Sequence, residues 1–225
     1  MTSKSKHLWD RVKQINEIQT FPLGTINADT LTRDPKHLSF TLSRYKFAVK
    51  MIPPDCKTVL EVGCGEGLGG FMVVNETPAD YCGVDFDRDQ ITYALDHVKP
   101  RFPERMTFLC QDVVSAPLEE TFEALISMDV IEHLFPEEEQ AFLNHMFSAL
   151  ESGGAAIVGT PNQFSENHAS LRSREGHVNL FDPDRLYATL KPFCSQVFIF
   201  SMNDEMVHTG FSKMAHYLIA LCVKQ

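Results

Sequence analysis

Several features that would announce a class are missing from the chain. No two of its six cysteines form a C-x-x-C pair, and most of Cys56, Cys64, Cys82, Cys110, Cys194 and Cys222 sit inside apolar runs. That pattern fits small buried hydrophobes in a reducing compartment better than a disulfide frame. No stretch approaches the ~18 uncharged apolar residues that a membrane span requires. The opening MTSKSKHLWDRVKQ holds no apolar signal core, so a secretory leader is not expected and the location read is cytoplasmic. A basic surplus is missing too: 20 Lys+Arg stand against 30 Asp+Glu, a net charge of −10. Phosphate binding draws on Lys and Arg, so neither nucleic acid nor an anionic membrane is expected as the main partner. Repeats and low-complexity tracts do not occur.

What is present is an ordinary globular balance. With 44% hydrophobic and 22% charged residues, 225 residues suffice for one full core and need no staples. Leu8, Val12, Ile15 and Ile18 recur at helical spacing and predict an amphipathic first helix. Phe21 to His37, punctuated by Pro and Gly, reads as loop. A second helix is predicted over Ser39–Ile52, closed by Pro53-Pro54.

From there the rhythm changes. Strands are predicted at Thr58–Val62, Tyr81–Val84, Met106–Leu109, Ala124–Ser127, Ala155–Gly159, Gln196–Phe200 and Ala215–Cys222. Helical stretches such as Arg88–His97 and Glu137–Leu150 separate most of them. The alternation predicts an α/β, Rossmann-like fold: a seven-stranded, mostly parallel sheet with helices on both faces. The segment Met202–Lys213 carries no helical pattern, so the last strand is expected to be antiparallel.

The most informative segment is Val59-Leu60-Glu61-Val62-Gly63-Cys64-Gly65-Glu66-Gly67-Leu68-Gly69-Gly70. A strand ends, glycines follow, and a helix starts near Phe71. Glycines there let the backbone reach φ > 0 and approach a ligand, at the strand ends where open α/β sheets bind ligands. Gly65-x-Gly67-x-x-Gly70 satisfies a dinucleotide pattern, and Asp85 lies twenty residues on. Glu61 argues the other way, because a carboxylate at that strand end would repel a pyrophosphate and suit a cationic ligand.

Glu61-x-Gly63-x-Gly65-x-Gly67 resembles motif I of the class I S-adenosylmethionine-dependent methyltransferases. Gly83-Val84-Asp85-Phe86-Asp87 resembles the second motif, Cys110-Gln111-Asp112-Val113 the third, and Ala124-Leu125-Ile126-Ser127-Met128-Asp129 the fourth. Leu150-x-x-Gly153-Gly154 before strand five completes the set. The resemblance implies S-adenosyl-L-methionine as cofactor. Glu61, Gly63, Cys64, Gly65 and Gly67 would wrap its methionyl part. Asp85 would take the ribose hydroxyls, Phe86 the adenine face and Asp112 the adenine amino group, with Val113 and Met128 beside them. Residues 57–225 would form the methyltransferase domain and residues 1–56 a helical cap.

Asp129-Val130-Ile131-Glu132-His133 follows strand four, next to the transferable methyl. On a helical turn Asp129, Glu132 and His133 share a face. The segment resembles the E-x-x-E-H motif of ubiquinone-pathway O-methyltransferases and of small-RNA 2′-O-methyltransferases, where it is associated with a divalent metal. Asp129 replaces the first Glu. Three roles stay open: a Mg²⁺ or Mn²⁺ site of Asp129, Glu132, His133 and His177; His133 alone as general base; or a purely structural turn.

The polar stretch after Thr160-Pro161 would cover the acceptor. Asn162, His168, Arg172, Arg174 and His177 are candidate contacts, with Arg44-Tyr45 closing the other side. The function read from all this is methylation of a hydroxyl on a small polar molecule: a sugar, a nucleotide-linked sugar or a phenol. Two rivals remain. Tyr187-x-x-x-Lys191 has the spacing of a NAD(P)-dependent reductase, although Pro192 should end that helix. A non-catalytic, cofactor-binding homologue is the other. Monomer and homodimer are both open.

Overall fold

A computed structural model of the chain describes residues 3–16 and 20–225. Ile18 lies outside the described residues, and so does the side chain of Arg172. Three helices come first: α1 (Lys4–Ile15), α2 (Thr25–Arg33) and α3 (Pro35–Met51). The alternating part follows as β1 (Thr58–Val62), α4 (Leu68–Glu76), β2 (Asp80–Asp85), α5 (Arg88–Tyr93), β3 (Met106–Cys110), β4 (Phe122–Met128), α6 (Pro136–Ser148) and β5 (Leu150–Pro161). The chain ends with α7 (Leu171–Gly176), α8 (Pro183–Leu190), β6 (Cys194–Asn203), β7 (Met206–His208) and β8 (Tyr217–Lys224). Among the described residues, no helix is long and apolar enough to cross a membrane.

The strands form one sheet in the order β3-β2-β1-β4-β5-β8-β6-β7. The first five are parallel to their neighbours, and β8 is antiparallel to both β5 and β6. The sheet has eight strands, not seven. The extra one, β7, pairs antiparallel with β6 from Asn203↔Met206 to Ser201↔His208. A two-residue turn makes this possible, with Asp204 at φ 48°. Three residues are too few to show a strand period in sequence.

The predicted loop at Phe21–His37 is also corrected, because α2 occupies its middle. The carboxylate of Glu66, forty residues on, accepts the amides of Ile26 (2.8 Å) and Asn27 (3.0 Å). A helix capped from a distant loop leaves no local cap signal to read.

Alternation along the strands builds two cores. Val59, Ala124 and Ile126 face α3, α4 and α5, where Ala48, Val73 and Ile91 are buried. Leu60 and Leu125 face α6 and α8, where Leu143, Phe147 and Leu186 are buried. Successive strand residues point to opposite faces, and this disposes of Glu61. It shares the face of Val59, is 0% exposed, and accepts hydrogen bonds from the hydroxyls of Tyr45 (2.5 Å) and Tyr81. Glu61, expected at the cofactor, and Tyr45, expected at the acceptor, thus hydrogen-bond to each other inside the core.

Burial pushes the Glu61 carboxyl up from an ordinary 4.5 to about 7, against the pull of the two hydroxyls. The folded state thus holds a proton that the unfolded chain releases. Stability from this group falls as pH rises from about 4.5 to about 7, and is level above that. Glu61→Gln should remove this slope, raising stability at pH 8 relative to pH 5 by on the order of 2–3 kcal/mol against wild type. Urea midpoints at the two pH values would measure it. Parallel pH dependence in both proteins would refute the assignment.

Candidate active site

A cavity of about 420 Å³ opens at the carboxyl ends of β1, β2 and β4. Its walls include Gly63 and Gly65 after β1, Asp85 and Phe86 after β2, Asp112 and Val113 after β3, and Asp129 and His133 after β4. Eight of the sequence-predicted site residues meet there.

The β1 turn is held by backbone bonds. The amides of Gly63 and Cys64 donate to the carbonyl of Val84 (2.8 and 3.1 Å), and the amide of Gly67 to that of Cys64 (2.9 Å). Gly63 has φ +80°, and a Cβ there would stand 2.1 Å from the Val130 side chain. Only glycine satisfies both constraints. Asp85 then joins two loops: Oδ2 accepts from the Gly65 amide and Oδ1 from the Asp87 amide, both at 2.9 Å. Each oxygen keeps a further lone pair toward the cavity. Asp112 accepts from the Val114 amide (2.9 Å) and the Ser115 hydroxyl (2.5 Å), which fixes its side chain at the wall. Phe86 is 77% exposed at the rim. Cys64, Gly67 and Met128, also expected to meet a cofactor, do not line the cavity. Cys64 and Met128 are buried in the core, and Gly67 is the left-handed N-cap of α4.

The segment after β4 departs from one helical turn. Asp129 has φ +56°, an uncommon conformation that Asp tolerates better than most residues. Asp129 still lines the cavity with His133, but its carboxylate is taken by a cation. Its Oδ2 meets a guanidinium nitrogen of Arg44 at 2.6 Å, and that guanidinium lies 3.8 Å over the Tyr217 ring. Ile131–His133 then form a tight 3₁₀ turn. Glu132 points inward, 0% exposed, with Oε2 accepting from Thr160 Oγ1 (3.1 Å) and Oε1 without a partner. Burial first, and the nearby Asp129 second, hold its carboxyl well above the usual range. His133 faces the cavity, with Nδ1 2.8 Å from the carbonyl of Gly176. The His177 ring packs against it edge-on at 5.1 Å, and its buried Nδ1 also lacks a partner. Burial, then His133, lowers the pKa of His177.

Glu132, His133 and His177 can each offer a ligand atom within 4.8 Å of the others. Asp129, expected as a fourth, is outside this group because Arg44 holds it. Two of these residues, Glu132 and His177, also carry a buried polar atom without a partner, which fits a cation. Two imidazoles and one carboxylate suit Mn²⁺ or Zn²⁺ better than the expected Mg²⁺.

The remaining acceptor candidates scatter. Asn162 is buried and spent on the carbonyls of Ser212 (2.8 Å) and Ala215 (2.9 Å), tying β5 to the chain before β8. His168 and Arg174 are exposed and do not line the cavity. The Tyr187–Lys191 pair lies outside it too: α8 ends at Leu190, and Lys191 Nζ donates to Ser195 O (2.7 Å).

Other contributors were not read from the sequence. Ile26 of α2 and Gln90 of α5 line the cavity. Glu66 is neither solvated nor a ligand; its carboxylate closes the α2 N-terminus over the site. Arg185 bridges Glu139 (2.7 Å) and Asn179 (2.5 Å), which holds the loop carrying His177 against α6.

Residues 59–154 match the family model described as a methyltransferase domain. That span of the chain is therefore similar to a methyltransferase domain. A probable S-adenosylmethionine-dependent methyltransferase of Mycolicibacterium smegmatis is 30% identical over 130 residues, 56% of this chain and 48% of that protein. The chain thus spans about half the length of that relative. A phosphoethanolamine N-methyltransferase of Triticum aestivum is 25% identical over 53% of this chain and 24% of its own length. The N-methyltransferase NodS of Bradyrhizobium japonicum, solved with S-adenosyl-L-homocysteine, shares the fold: TM-score 0.63, 14% identity, covering 86% of this chain and 90% of NodS. These matches give no support to the reductase reading.

Glu66→Ala should free the α2 N-terminus at a cost of about 1–2 kcal/mol. Amide exchange at Ile26 and Asn27 should speed up at least several-fold, with β-sheet amides unchanged. Unchanged exchange at those two amides would show that Glu66 does not cap the helix.

Proposed function

We propose that the chain transfers the methyl group of S-adenosyl-L-methionine to a hydroxyl of a small polar acceptor, with His133 as general base. The observation that carries this reading is the shared cavity. Gly63, Gly65, Asp85 and Asp112 stand on one wall, and His133 stands on the same cavity beyond β4. The relatives support the cofactor. Within residues 1–56, α2 and α3 then act as the cap, since Ile26 lines the cavity and Arg44 reaches Asp129.

Asp85, with both oxygens already oriented by amides, would accept the ribose hydroxyls. Gly63 and Gly65 would admit the methionyl part without a side chain in the way. The Nδ1–H of His133, donated to Gly176 O, leaves the Nε2 lone pair free for the cavity. A hydroxyl attacks well only as its proton leaves, and Nε2 would take that proton while the oxygen approaches the methyl carbon and the sulfur departs. An amine acceptor attacks with its lone pair and sheds its proton afterwards, so it needs this base less. Much of the acceleration would come from holding the two reactants in line.

A second reading rests on the unpartnered Glu132 Oε1 and His177 Nδ1. Glu132, His133 and His177 would hold a divalent cation, which would polarise the acceptor oxygen. His133 Nε2 would then be a ligand, and the free-base role would lapse.

His133→Ala should leave S-adenosylhomocysteine affinity within a few-fold and lower turnover by about 10²–10⁴. Undiminished turnover on a screened hydroxyl acceptor would exclude the base. In calorimetry, Asp85→Ala should weaken S-adenosylhomocysteine binding at least tenfold; an unaltered affinity would remove the ribose role. Glu132→Gln separates the two readings. Under the first it spares the turnover of chelator-treated enzyme. Under the second, that enzyme is inactive until Mn²⁺ or Zn²⁺ is added, and Glu132→Gln cannot be revived.

A further inference from the structure

None of the residues of helix α1 is buried. Its apolar side chains are not scattered. Leu8, Val12 and Ile15 share one face at helical spacing, with Trp9 at its border. Leu8 is 64% exposed, Trp9 57% and Ile15 68%. Lys4 and Arg11 flank this face on one side and Trp9 on the other, with Lys6 and Lys13 beyond Trp9. Lys13 is paired with Asp10 at 2.8 Å, and Asp10 is the helix's sole acid. Four basic residues against one acid leave α1 at +3, and the remainder of the −10 chain at −13.

We infer that α1 is an interfacial helix that docks on an anionic lipid surface. An exposed apolar stripe bordered by Lys and Arg, with a Trp at its edge, is what an element lying in a bilayer interface presents. The long side chains of Lys4 and Arg11 at the border can lay their stems along the acyl boundary and keep their charges among the headgroups, with Lys6 and Lys13 adding charge beyond Trp9. Two other occupants fit less well. A second copy of α1 would bring a second +3 charge against the first. Nucleic acid would satisfy the lysines and leave Leu8, Trp9 and Ile15 in water. The overall charge of −10, which argues against polyanions when averaged over the chain, conceals this segregation. The acidic body would be repelled by the surface that attracts α1, so docking should hold the body at the interface without embedding it.

Trp9 is the sole tryptophan of the chain, so its emission reports on this helix alone. Purified protein is mixed with phosphatidylglycerol-containing vesicles and, separately, with vesicles of phosphatidylcholine alone. The inference expects a blue shift and co-sedimentation with the anionic vesicles, both lost at high salt, and neither with neutral vesicles. The double variant Leu8→Glu/Ile15→Glu should abolish binding while thermal unfolding and S-adenosylhomocysteine titration stay unchanged, because α1 buries nothing and does not line the cavity. Lys4→Glu/Arg11→Glu should abolish it independently of the apolar face. No shift with anionic vesicles overturns the inference. So does equal, salt-insensitive binding to both vesicle types. A lipid-free blue shift that grows with protein concentration overturns it in favour of a second copy. Cofactor titration reads the methyltransferase proposal separately, so either idea can fail alone.

Discussion

The cavity depends on how the chain leaves β1. It must turn back at once, close to the ends of β2 and β4, with no Cβ in the way. Gly63 meets this with a left-handed φ, while Val84 O and Asp85 Oδ2 receive the amides of Gly63, Cys64 and Gly65. A side chain at Gly63 would collide with Val130, the residue that begins the turn toward His133. One backbone conformation therefore sets both the glycine wall and the approach of the β4 segment that faces it.

Acidic side chains around this turn carry distinct tasks, and burial separates them. Asp85 and Asp112 line the cavity with their oxygens oriented by amides. Glu61, two residues before the turn, is sealed on the other side of the strand between two tyrosines. Glu66, three residues after it, caps α2. Asp129 is held by Arg44, and Glu132 is buried with one oxygen unsatisfied beside two imidazoles. A buried carboxylate without a partner is costly in its charged form. The Glu132 environment therefore favours either a proton on its carboxyl, which leaves His133 as the base, or a cation that would draw His133 into its shell.

The helices before β1 complete the site. α3 packs into the core through Ala48 and Val49 and sends Arg44 under Asp129. α2 lies over the cavity through Ile26. α1 adds nothing to that packing and carries a charge opposite to that of the body. Two neighbouring pieces of the chain's beginning thus face different surroundings, one the cavity and one the solvent.

Much of this was legible in the residue order. Thr58–Val62 was read to the residue, and every parallel strand was found, because each is an apolar run bounded by turn chemistry. Gly63, Gly65, Asp85, Phe86, Asp112, Val113, Asp129 and His133 were placed in one site because they follow strands at the same edge of a parallel sheet, where connectivity alone brings them together. What the order could not express was direction and long-range partnership. Glu61 and Tyr45 were assigned to the cavity, although strand alternation turns Glu61 into the core and Tyr45, on the buried face of α3, meets it there. The α2 helix was missed because its cap is forty residues away in Glu66, and Asp129 was grouped with a metal set although Arg44 claims it. The sequence by itself determined the positions of the parallel strands, the glycine turn and the chemistry available at the strand ends, since these follow from local pattern and chain connectivity. Only the tertiary structure decided which acids meet the cavity and which are consumed by Tyr45, Arg44 or a helix terminus, because each of those outcomes is a contact between residues far apart in the chain.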